Sequence, residues 1–471
     1  MIADLRPYME YKESGSHRLA HVPLHWEVRN LRTLIRPRKE RNRADLPLLS
    51  VARERGVFIR SLTDAEENHN VIPEDLSNYK VARFGNLVIN KMKAWQGSMG
   101  IAPCDGIVSP AYFVFDFSIA NHRFGQALLR SKPYVSHFGQ ASDGVRVGQW
   151  DLTISGMRQI PVLVPPPDEQ AAIVRFLDWA NGRLERAIQA KRKVIALLNE
   201  QKQAIIHRAV TRGLDPSVPL KPSGIPWLGD IPQHWEVRKI KSLVKAVGGM
   251  TPNKGVERYW VGQTPWVSPK DMKVPEIFDS EDHISDAALR ETNIALISGP
   301  AVLIVVRGMI LARTFPTAIT RVPVTINQDM KALTPRPELS TDYFALLLTG
   351  IQRELLELVE IAGHGTCCLR TDSWAAFYLP IPPLEEQISI RAFLSTELAT
   401  SNTAISRLER EIELLREYRT RLVADVVTGK LDVREAAALL PEEAGESLTE
   451  SETDWSDDET ELDPIVSEEA P

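Results

Sequence analysis

Two patterns of hydrophobic and polar positions alternate along the 471-residue chain. In the first, short apolar runs are separated by Pro and Gly, as at Leu87–Asn90 and Val302–Val306, and this predicts short strands joined by turns. In the second, apolar residues recur every three or four positions over several heptads, which predicts long amphipathic helices. The chain is therefore expected to contain strand-rich domains connected by long helices.

The helical pattern occurs twice. The first seam is interrupted at Lys191 and Gln201 and the second at Arg419. The apolar positions are Leu177, Ala180, Leu184, Ala187, Val194, Leu198 and Ile205 in the first, and Ile405, Leu408, Ile412, Leu415, Leu422 and Val426 in the second. Neither helix can bury such a seam alone in water, so the simplest partner of each helix is the other. The alternative is that each helix packs only on its own domain.

An internal duplication organises the whole chain. The segment Pro23–Arg29 (PLHWEVR) is repeated 209 residues later as Pro232–Arg238 (PQHWEVR). A second pair, Pro165–Gln170 and Pro382–Gln387, lies 217 residues apart, so the interior of the second copy is eight residues longer. A period above 200 residues is too long for a solenoid or a propeller, and each copy must be a domain followed by its helix.

The repeated anchors have a structural interpretation. The pairs His25-Trp26 and His234-Trp235 are expected to seal the entrance of each domain rather than to bind a ligand. The carboxylates after the prolines, Asp168-Glu169 and Glu385-Glu386, fall in the first helical turn, where the positive end of the helix dipole favours them.

The charge is distributed unevenly. The chain has a net charge of −6, but residues 441–471 contain thirteen Asp and Glu and no Lys or Arg. The remaining body is therefore basic, at about +7, and suits a polyanionic partner. We expect the acidic tail to be disordered and solubilising. A sharper alternative is that the tail competes with DNA for the basic surface.

Composition and cysteine usage indicate a cytoplasmic globular protein. With 43% hydrophobic and 25% charged residues, the chain is neither disordered nor collagen-like. Its three cysteines form no disulfide framework, and the N-terminal sequence lacks the basic and apolar regions of a signal peptide. The most apolar segment, Ala301–Ala312, is interrupted by Arg307 and is shorter than the roughly 18 residues of a membrane span.

The sequence lacks the motifs of the enzymes that would act on nucleic acids. It contains no complete Walker or Rossmann glycine loop and no HExxH, and its ten histidines show no metal-ligand spacing with cysteines. It also has no Asn-Pro-Pro-aromatic segment of the kind that holds a flipped base in amino-methyltransferases. The chain is therefore not expected to be an enzyme by itself.

Two segments carry the best candidates for contact with DNA. The first runs from the strand at Leu87–Asn90 into a cluster of lysine, tryptophan and amide side chains, and the second lies at the corresponding point of the second copy, with Arg307 opposite Lys91. Lys and Arg can contact phosphate or guanine, and Asn or Gln can pair with adenine. The candidates are Asn90, Lys91, Lys93, Trp95, Gln96, Lys270, Arg307, Arg313, Thr314, Asn327, Gln328, Lys331, His364 and Thr366. For any single cation, the alternative is an ordinary solvated surface charge, and for Trp95 it is packing.

The chain resembles the specificity subunit of type I restriction-modification systems, up to about Leu440. The resemblance rests on the doubled Pro-x-His-Trp-Glu-Val-Arg entrance, the doubled Pro-Pro-x-(Asp/Glu)-Glu-Gln helix start, and the segments Ile89–Gly97 and Trp266–Met272. The segments Val306–Met309 and Gly363–Thr366 are similar to the family as well.

The resemblance implies a function in a larger complex. Each domain would read one half of a bipartite, asymmetric target in double-stranded DNA. The helices would dock two methyltransferase (modification) subunits and the restriction (translocase/nuclease) subunits. No cofactor or metal is expected on this chain, and S-adenosylmethionine, ATP and Mg²⁺ would belong to the partner subunits.

The predicted fold class is mixed α/β (α+β), with two target-recognition domains separated by a long antiparallel two-helix coiled coil and related by a pseudo-two-fold repeat. The predicted boundaries are 1–165 for the first domain, 166–215 for a central spacer helix, 216–383 for the second domain, 384–437 for a C-terminal helix and 438–471 for the tail. The rival hypotheses are a single-chain DNA methyltransferase or endonuclease, and a coiled-coil scaffold that does not bind DNA.

Overall fold

A computed structural model describes residues 5–16, 19, 21–61, 75–146, 149–362 and 365–441. The chain divides into two compact units. Unit 1 contains the residues up to Ala190 together with those from Arg410 onward, and unit 2 contains Lys191–Glu409. Both boundaries fall inside long helices, whereas the predicted domain boundaries lie at the helix ends.

Unit 1 is built from short strands and a few helices. Its strands are β1 (Tyr11–Glu13), β2 (His21–Pro23), β3 (Glu27–Asn30), β4 (Ile35–Pro37), β5 (Leu49–Ala52), β6 (Gly56–Ile59), β7 (Lys80–Ala82), β8 (Leu87–Asn90), β9 (Met99–Ile101), β10 (Gly106–Val108), β11 (Tyr112–Phe117), β12 (Ser142–Arg146), β13 (Gln149–Leu152) and β14 (Pro161–Val164). Its helices are α1 (His122–Leu129), α2 (Lys132–Gln140), α3 (Ile154–Arg158) and the first part of α4 (Pro167–Arg212).

Unit 2 is also built from short strands and a few helices. Its strands are β15 (Leu220–Pro222), β16 (Asp230–Pro232), β17 (Glu236–Lys239), β18 (Val244–Gly248), β19 (Thr264–Val267), β20 (Glu276–Ile277), β21 (Asp282–Ile284), β22 (Val302–Val305), β23 (Thr317–Thr320), β24 (Thr325–Ile326), β25 (Met330–Pro335), β26 (Val359–Ile361), β27 (Cys367–Leu369) and β28 (Tyr378–Ile381). Its helices are α5 (Ile240–Leu243), α6 (Asp286–Glu291), α7 (Thr341–Gly350), α8 (Gln352–Leu356), α9 (Thr371–Ala376) and the first part of α10 (Leu384–Val427). The end of α10 and α11 (Arg434–Ala438) belong to unit 1. The mixed α/β fold class is confirmed.

The central sheets of the two units are duplicates. Unit 1 has the antiparallel order β4-β11-β8-β9, and unit 2 has β18-β25-β22-β23, extended by β20, which is parallel to β23. Phe115 of β11 lies between Leu87 and Pro37, and Leu333 of β25 lies in the same way between Val302 and Ala246. The duplication seen in the sequence is therefore a duplication of one sheet topology.

Each unit buries parts of both long helices in its core. In unit 1, Leu177 and Ala180 of α4 share a core with Leu422 and Val426 of α10. Arg419 there forms an ion pair with Glu185 at 3.3 Å. In unit 2, residues near the end of α4 share a core with residues near the start of α10, namely Ile206, Ala209 and Val210 with Ile390, Leu394 and Leu398. Within each unit, the start of one helix lies beside the end of the other, as antiparallel pairing predicts.

Three details of the predicted helices and tail are wrong. The C-terminal helix ends at Val427, not near residue 437, because Gly429 adopts a positive φ of 75° and a Cβ there would lie 2.5 Å from Pro23. Val194, assigned to the seam, is 44% exposed, while Ile188 is buried. Leu440, assigned to the disordered tail, is buried, and Arg175 donates to its carbonyl at 2.5 Å. The rest of the predicted tail, 442–471, lies outside the described residues.

None of the described helices combines the length and the apolar character that a membrane span requires. Among the described residues, no group of three or more His, Cys, Asp or Glu side chains is placed to hold a metal ion.

Candidate nucleic-acid interface

The doubled entrance residues form a clasp with the start of a long helix in each unit. In unit 1, the Glu169 carboxylate is 4% exposed and accepts hydrogen bonds from the Tyr8 hydroxyl (2.5 Å) and the Trp26 indole (3.0 Å). His25 Nε2 lies 2.8 Å from the same carboxylate. Burial, followed by the hydrogen bond to Glu169, raises the pKa of the Tyr8 hydroxyl. We call this set the entrance clasp of unit 1.

The entrance clasp of unit 2 repeats this geometry with fewer partners. The Trp235 indole donates to Glu386 at 3.0 Å, and His234 Nε2 lies 2.7 Å from it. Glu386 is 27% exposed, and the position equivalent to Tyr8 is Ser217. Trp26 and Trp235 are both fully buried. The burial of both tryptophans confirms that this half of each His-Trp pair packs into its domain.

The glutamine that follows each clasp glutamate fixes the helix to the sheet domain. Gln170 donates to the Pro165 carbonyl (2.8 Å) and accepts from the backbone N–H of Asn121 (2.9 Å), the residue that caps α1. Gln387 makes the equivalent bonds to the Pro382 carbonyl (2.9 Å) and the N–H of Ser340 (2.8 Å), at the start of α7. The direction of each long helix is therefore set by buried polar contacts with its own domain.

On this framework, each unit carries one exposed edge built from a strand, a 3₁₀ turn and a hairpin. In unit 1, β8 runs into the 3₁₀ turn Ala94–Gln96, which lies against the hairpin β12–β13. In unit 2, β22 runs into the turn Met309–Ala312, which lies against the hairpin β26–β27. We call these arrangements the hairpin edges. They contain most of the predicted DNA-binding residues.

The hairpin edge of unit 1 is held by its own side chains. Lys91 forms an ion pair with Asp151 at 3.0 Å. Trp95 is half-buried, donates to the Met92 carbonyl and packs against Trp150, with ring centroids 5.0 Å apart. The other candidates differ: Asn90 accepts from the backbone N–H of Met92 at 3.1 Å, Gln96 is half-buried and Lys93 is exposed. Of the two candidate lysines of this edge, Lys93 is therefore the more accessible.

The hairpin edge of unit 2 gathers residues from three separate segments. Arg307 is exposed, and its backbone N–H donates to Asp329 (3.3 Å), which brings the 327–329 loop beside it. Gly308 donates to the Cys367 carbonyl (3.0 Å), which brings the hairpin and Thr366 to the same place. Arg313 and Thr314 follow directly on the exposed end of the turn.

The remaining candidates of unit 2 are less available. Asn327 is buried, and its side-chain oxygen accepts from the N–H of Asp329. Gln328 is exposed and accepts from the Thr251 hydroxyl. Lys331 is half-buried in β25 opposite Gly248. Lys270 forms ion pairs with Glu281 and Asp282, each at 3.0 Å. Although burial acts against its charge, the hydrogen bonds to these carboxylates raise the pKa of Lys270. His364 lies outside the described residues.

The strand register corrects one predicted correspondence. The Lys91 carbonyl accepts from the N–H of Leu152 at 2.8 Å, and the Val306 carbonyl accepts from the N–H of Leu369 at the same distance. Val306, rather than Arg307, is therefore the counterpart of Lys91. The copies differ by eight residues between the anchors, so no single sequence offset could establish this pairing.

Sequence reasoning missed the hairpin β12–β13 of unit 1, which supplies Trp150 and Asp151 to the hairpin edge. A signal for it was present. The repeated helix starts lie 217 residues apart. Subtracting 217 from the candidate segment Gly363–Thr366 gives residues 146–149, which lie in the region of this hairpin.

Comparisons with known proteins find relatives among the specificity subunits of type I restriction enzymes. Residues 232–414 match the family model of the type I restriction modification DNA specificity domain. The chain is 29% identical over 281 residues to the type I restriction enzyme EcoR124I/EcoR124II specificity subunit of Escherichia coli, covering 58% of this chain and 63% of that protein. It is 31% identical over 173 residues to the MjaIX specificity subunit of Methanocaldococcus jannaschii, covering 36% and 39%. These alignments span less than two thirds of either relative's length.

One solved structure extends the likeness in fold over most of the chain. It comes from work on complex assembly and conformational transition of the type I R-M system, and it has a TM-score of 0.59 at 16% identity, covering 87% of this chain and 99% of that one. The matching relatives are specificity subunits of type I restriction enzymes. The chain is therefore similar to type I restriction-modification specificity subunits, and its residues 232–414 match the DNA specificity domain of that family.

Proposed function

We propose that this chain is the sequence-reading subunit of a type I restriction-modification complex, and that each unit reads one half of a bipartite, asymmetric target in double-stranded DNA. The observation that carries the proposal is the pair of hairpin edges. The same strand, turn and hairpin recur on a duplicated sheet, but the exposed side chains differ between the two copies. A common framework with different surfaces suits two different half-sites.

Chemistry on the DNA would then take place on other subunits. We propose two methyltransferase (modification) subunits and restriction (translocase/nuclease) subunits as partners. S-adenosylmethionine, ATP and Mg²⁺ would be bound there. Exposed apolar residues on the long helices support helix docking, because exposed apolar groups on an otherwise polar helix are typical of an interface. They are Val194, Leu197, Leu384, Ile388, Phe393, Leu414 and Tyr418.

Methylome sequencing of the host, with and without this gene, tests the proposal most directly. We expect one bipartite methylated motif to disappear when the gene is deleted and to return when it is restored. If the methylome is unchanged, the chain does not direct modification in that host.

Binding by the purified full chain separates the rival hypotheses. We expect affinity for duplex DNA that falls linearly with the logarithm of salt concentration, because phosphate contacts release counterions. A scaffold that does not bind DNA would show no such affinity. Methylation or cleavage of DNA by the chain alone would show that it is itself an enzyme.

A further inference from the structure

A basic cavity opens beside the hairpin edge of unit 1, at residues that the sequence did not single out. Its volume is about 580 Å³. The floor is apolar and is formed by β4 and β11, including Ile35, Phe113 and Phe115. Among the residues that the structure describes, its charged lining consists of five cationic side chains and no carboxylate: Arg38, Lys39, Arg41, Lys80 and Arg158.

Backbone pairing fixes the position of these cations. The N–H of Arg38 donates to the Val114 carbonyl at 2.9 Å, and Arg41 forms a bridge with Lys80. The Lys80 ammonium donates to the Tyr112 carbonyl at 2.5 Å. Three elements from separate parts of the sequence therefore converge: the segment after β4, the start of β7, and α3 with Arg158.

Most of this positive charge is not neutralised by the residues that the structure describes. Arg38 forms an ion pair with Asp116 at 3.2 Å. In the part of the chain that the structure describes, Lys39, Arg41 and Arg158 form no ion pair, and all three are exposed. Burial lowers the pKa of the Lys80 ammonium, and the nearby charges of Arg41 and Lys91 lower it further. Cations that repel one another around a cavity stabilise an anion that enters it.

The cavity adjoins the surface to which we assign base reading. Tyr112, whose carbonyl holds Lys80, pairs across the sheet with Asn90 at the end of β8. On the other side, the hairpin β12–β13 leads directly into α3, which carries Arg158. DNA held at the hairpin edge would therefore have its backbone close to these cations, and phosphate contacts are what fix the register of a protein on a duplex.

We propose that the basic cavity binds backbone phosphates of the DNA duplex next to the bases read by the hairpin edge of unit 1. The inference rests on the proposed function and assigns separate tasks to two surfaces of one unit. The cavity supplies affinity that does not depend on sequence, and the hairpin edge supplies discrimination. Lys39, Arg41 and Arg158 are the principal phosphate contacts, because their charges are available and their side chains are exposed.

The test uses the purified full chain and two duplexes of about thirty base pairs, long enough to cover both halves of a bipartite site. One has a mixed sequence, and the other contains the motif identified by methylome sequencing. We expect Arg41→Gln and Arg158→Gln each to lower the slope of log K against log salt by about one, and to weaken binding about fivefold at 0.15 M salt. The combined Lys39→Gln, Arg41→Gln, Arg158→Gln variant should lose these contributions together. The ratio of target to non-target affinity should not change.

Arg43→Gln is the matched control. Arg43 lies two residues from Arg41 and does not line the cavity, and it is held by two hydrogen bonds of 2.7 Å to Asp45. Because this substitution changes the net charge by the same amount, an equal loss in Arg43→Gln and Arg41→Gln would overturn the inference. Unchanged thermal unfolding of each variant shows that the loss is not one of folding.

The other outcomes are also decisive. Wild-type protein without salt-dependent affinity would refute the proposed function itself, whereas normal wild-type binding with unchanged slopes in the variants would refute only the cavity. A loss confined to the target sequence would make these residues base contacts. Displacement of the duplex by ATP from the wild type, but not from the combined variant, would make the cavity a mononucleotide site.

Discussion

The two units share one framework and differ in the surface placed on it. In both, four antiparallel strands of the central sheet, a hairpin edge and an entrance clasp occur in the same order along the chain. In unit 1, Lys91 is paired with Asp151 and Trp95 packs against Trp150, while Lys93 remains exposed. In unit 2, Arg307 and Met309 are exposed. Residues that fasten a sheet to a helix must recur in each copy, and residues that face a partner need not.

Exchanging the interior of unit 1 is the strongest test of whether each unit reads its own half-site. Replacing residues 16–160 with the corresponding part of a related subunit should change one half of the methylated motif completely and leave the other half as it was. The α4 residues Glu169 and Gln170 and the residues after Val427 remain outside the exchanged segment, so the related segment must supply the partners of these residues. Methylome sequencing of the exchanged strain measures the result. A change in both halves, or in neither, would refute the assignment of one half-site to each unit.

Removal of the buried tryptophans should give the next largest effect. Trp26→Ala and Trp235→Ala each delete a fully buried indole from a separate core, and each should cost about 3–5 kcal/mol of unfolding free energy. Calorimetry of the two variants should show different transitions shifting, one for each unit. If both variants show a single transition that shifts by the same amount, the two units unfold together as one cooperative body.

The entrance clasps should differ in strength. Glu169→Ala leaves the Tyr8 and Trp26 donors without their buried acceptor, and we expect a loss of about 3 kcal/mol. Glu386→Ala should cost about 1–2 kcal/mol, because this carboxylate is partly exposed and water can replace it. The exposed neighbours Asp168→Ala and Glu385→Ala are the controls and should have little effect. Denaturant unfolding measures all four, and equal losses at the two clasps would contradict this ranking.

The smallest effect concerns the hairpin edges themselves. Arg307→Ala should weaken target binding by about 1–3 kcal/mol and relax specificity in one half-site if Arg307 contacts a base. Lys91→Ala should cost less than about 1 kcal/mol, because its charge is already paired with Asp151 at the surface. Arg290→Ala, an exposed cation on α6 of unit 2, serves as the control. A larger loss at Lys91 than at Arg307 would mean that the Lys91–Asp151 pair opens when DNA binds.

Much of the framework was predictable because it recurs. The repeated Pro-x-His-Trp and Pro-Pro-x-x-Glu-Gln segments identified the duplication, and the spacing of the apolar positions after them predicted two long helices that pair with each other. The prediction for Glu169 was incomplete. Its place in the first turn indicated an interaction with the helix dipole, whereas in the fold its carboxylate accepts from Tyr8 and Trp26, which are more than 140 residues away in sequence.

The candidate site was less predictable. Lys91 and Lys270 were chosen as available cations, but carboxylates from other strands and loops neutralise them. Arg41 and Arg158 are unremarkable in sequence, yet the strand pairing of β4, β7 and β11 and the position of α3 bring them to one cavity. The ion-pair partner of a surface charge is set by tertiary neighbours, which hydrophobic periodicity does not specify.

The sequence by itself determined that this protein is a duplicated α/β chain with two long helices. Hydrophobic spacing and repeated segments are local patterns, so they can be recognised without knowledge of the fold. Only the tertiary structure decided which cations remain available to a polyanion, where α10 ends, and which residues of the two copies correspond. These outcomes depend on long-range contacts: Asp151 with Lys91, Pro23 with Gly429, and Leu369 with Val306. The chain establishes these contacts only when it folds.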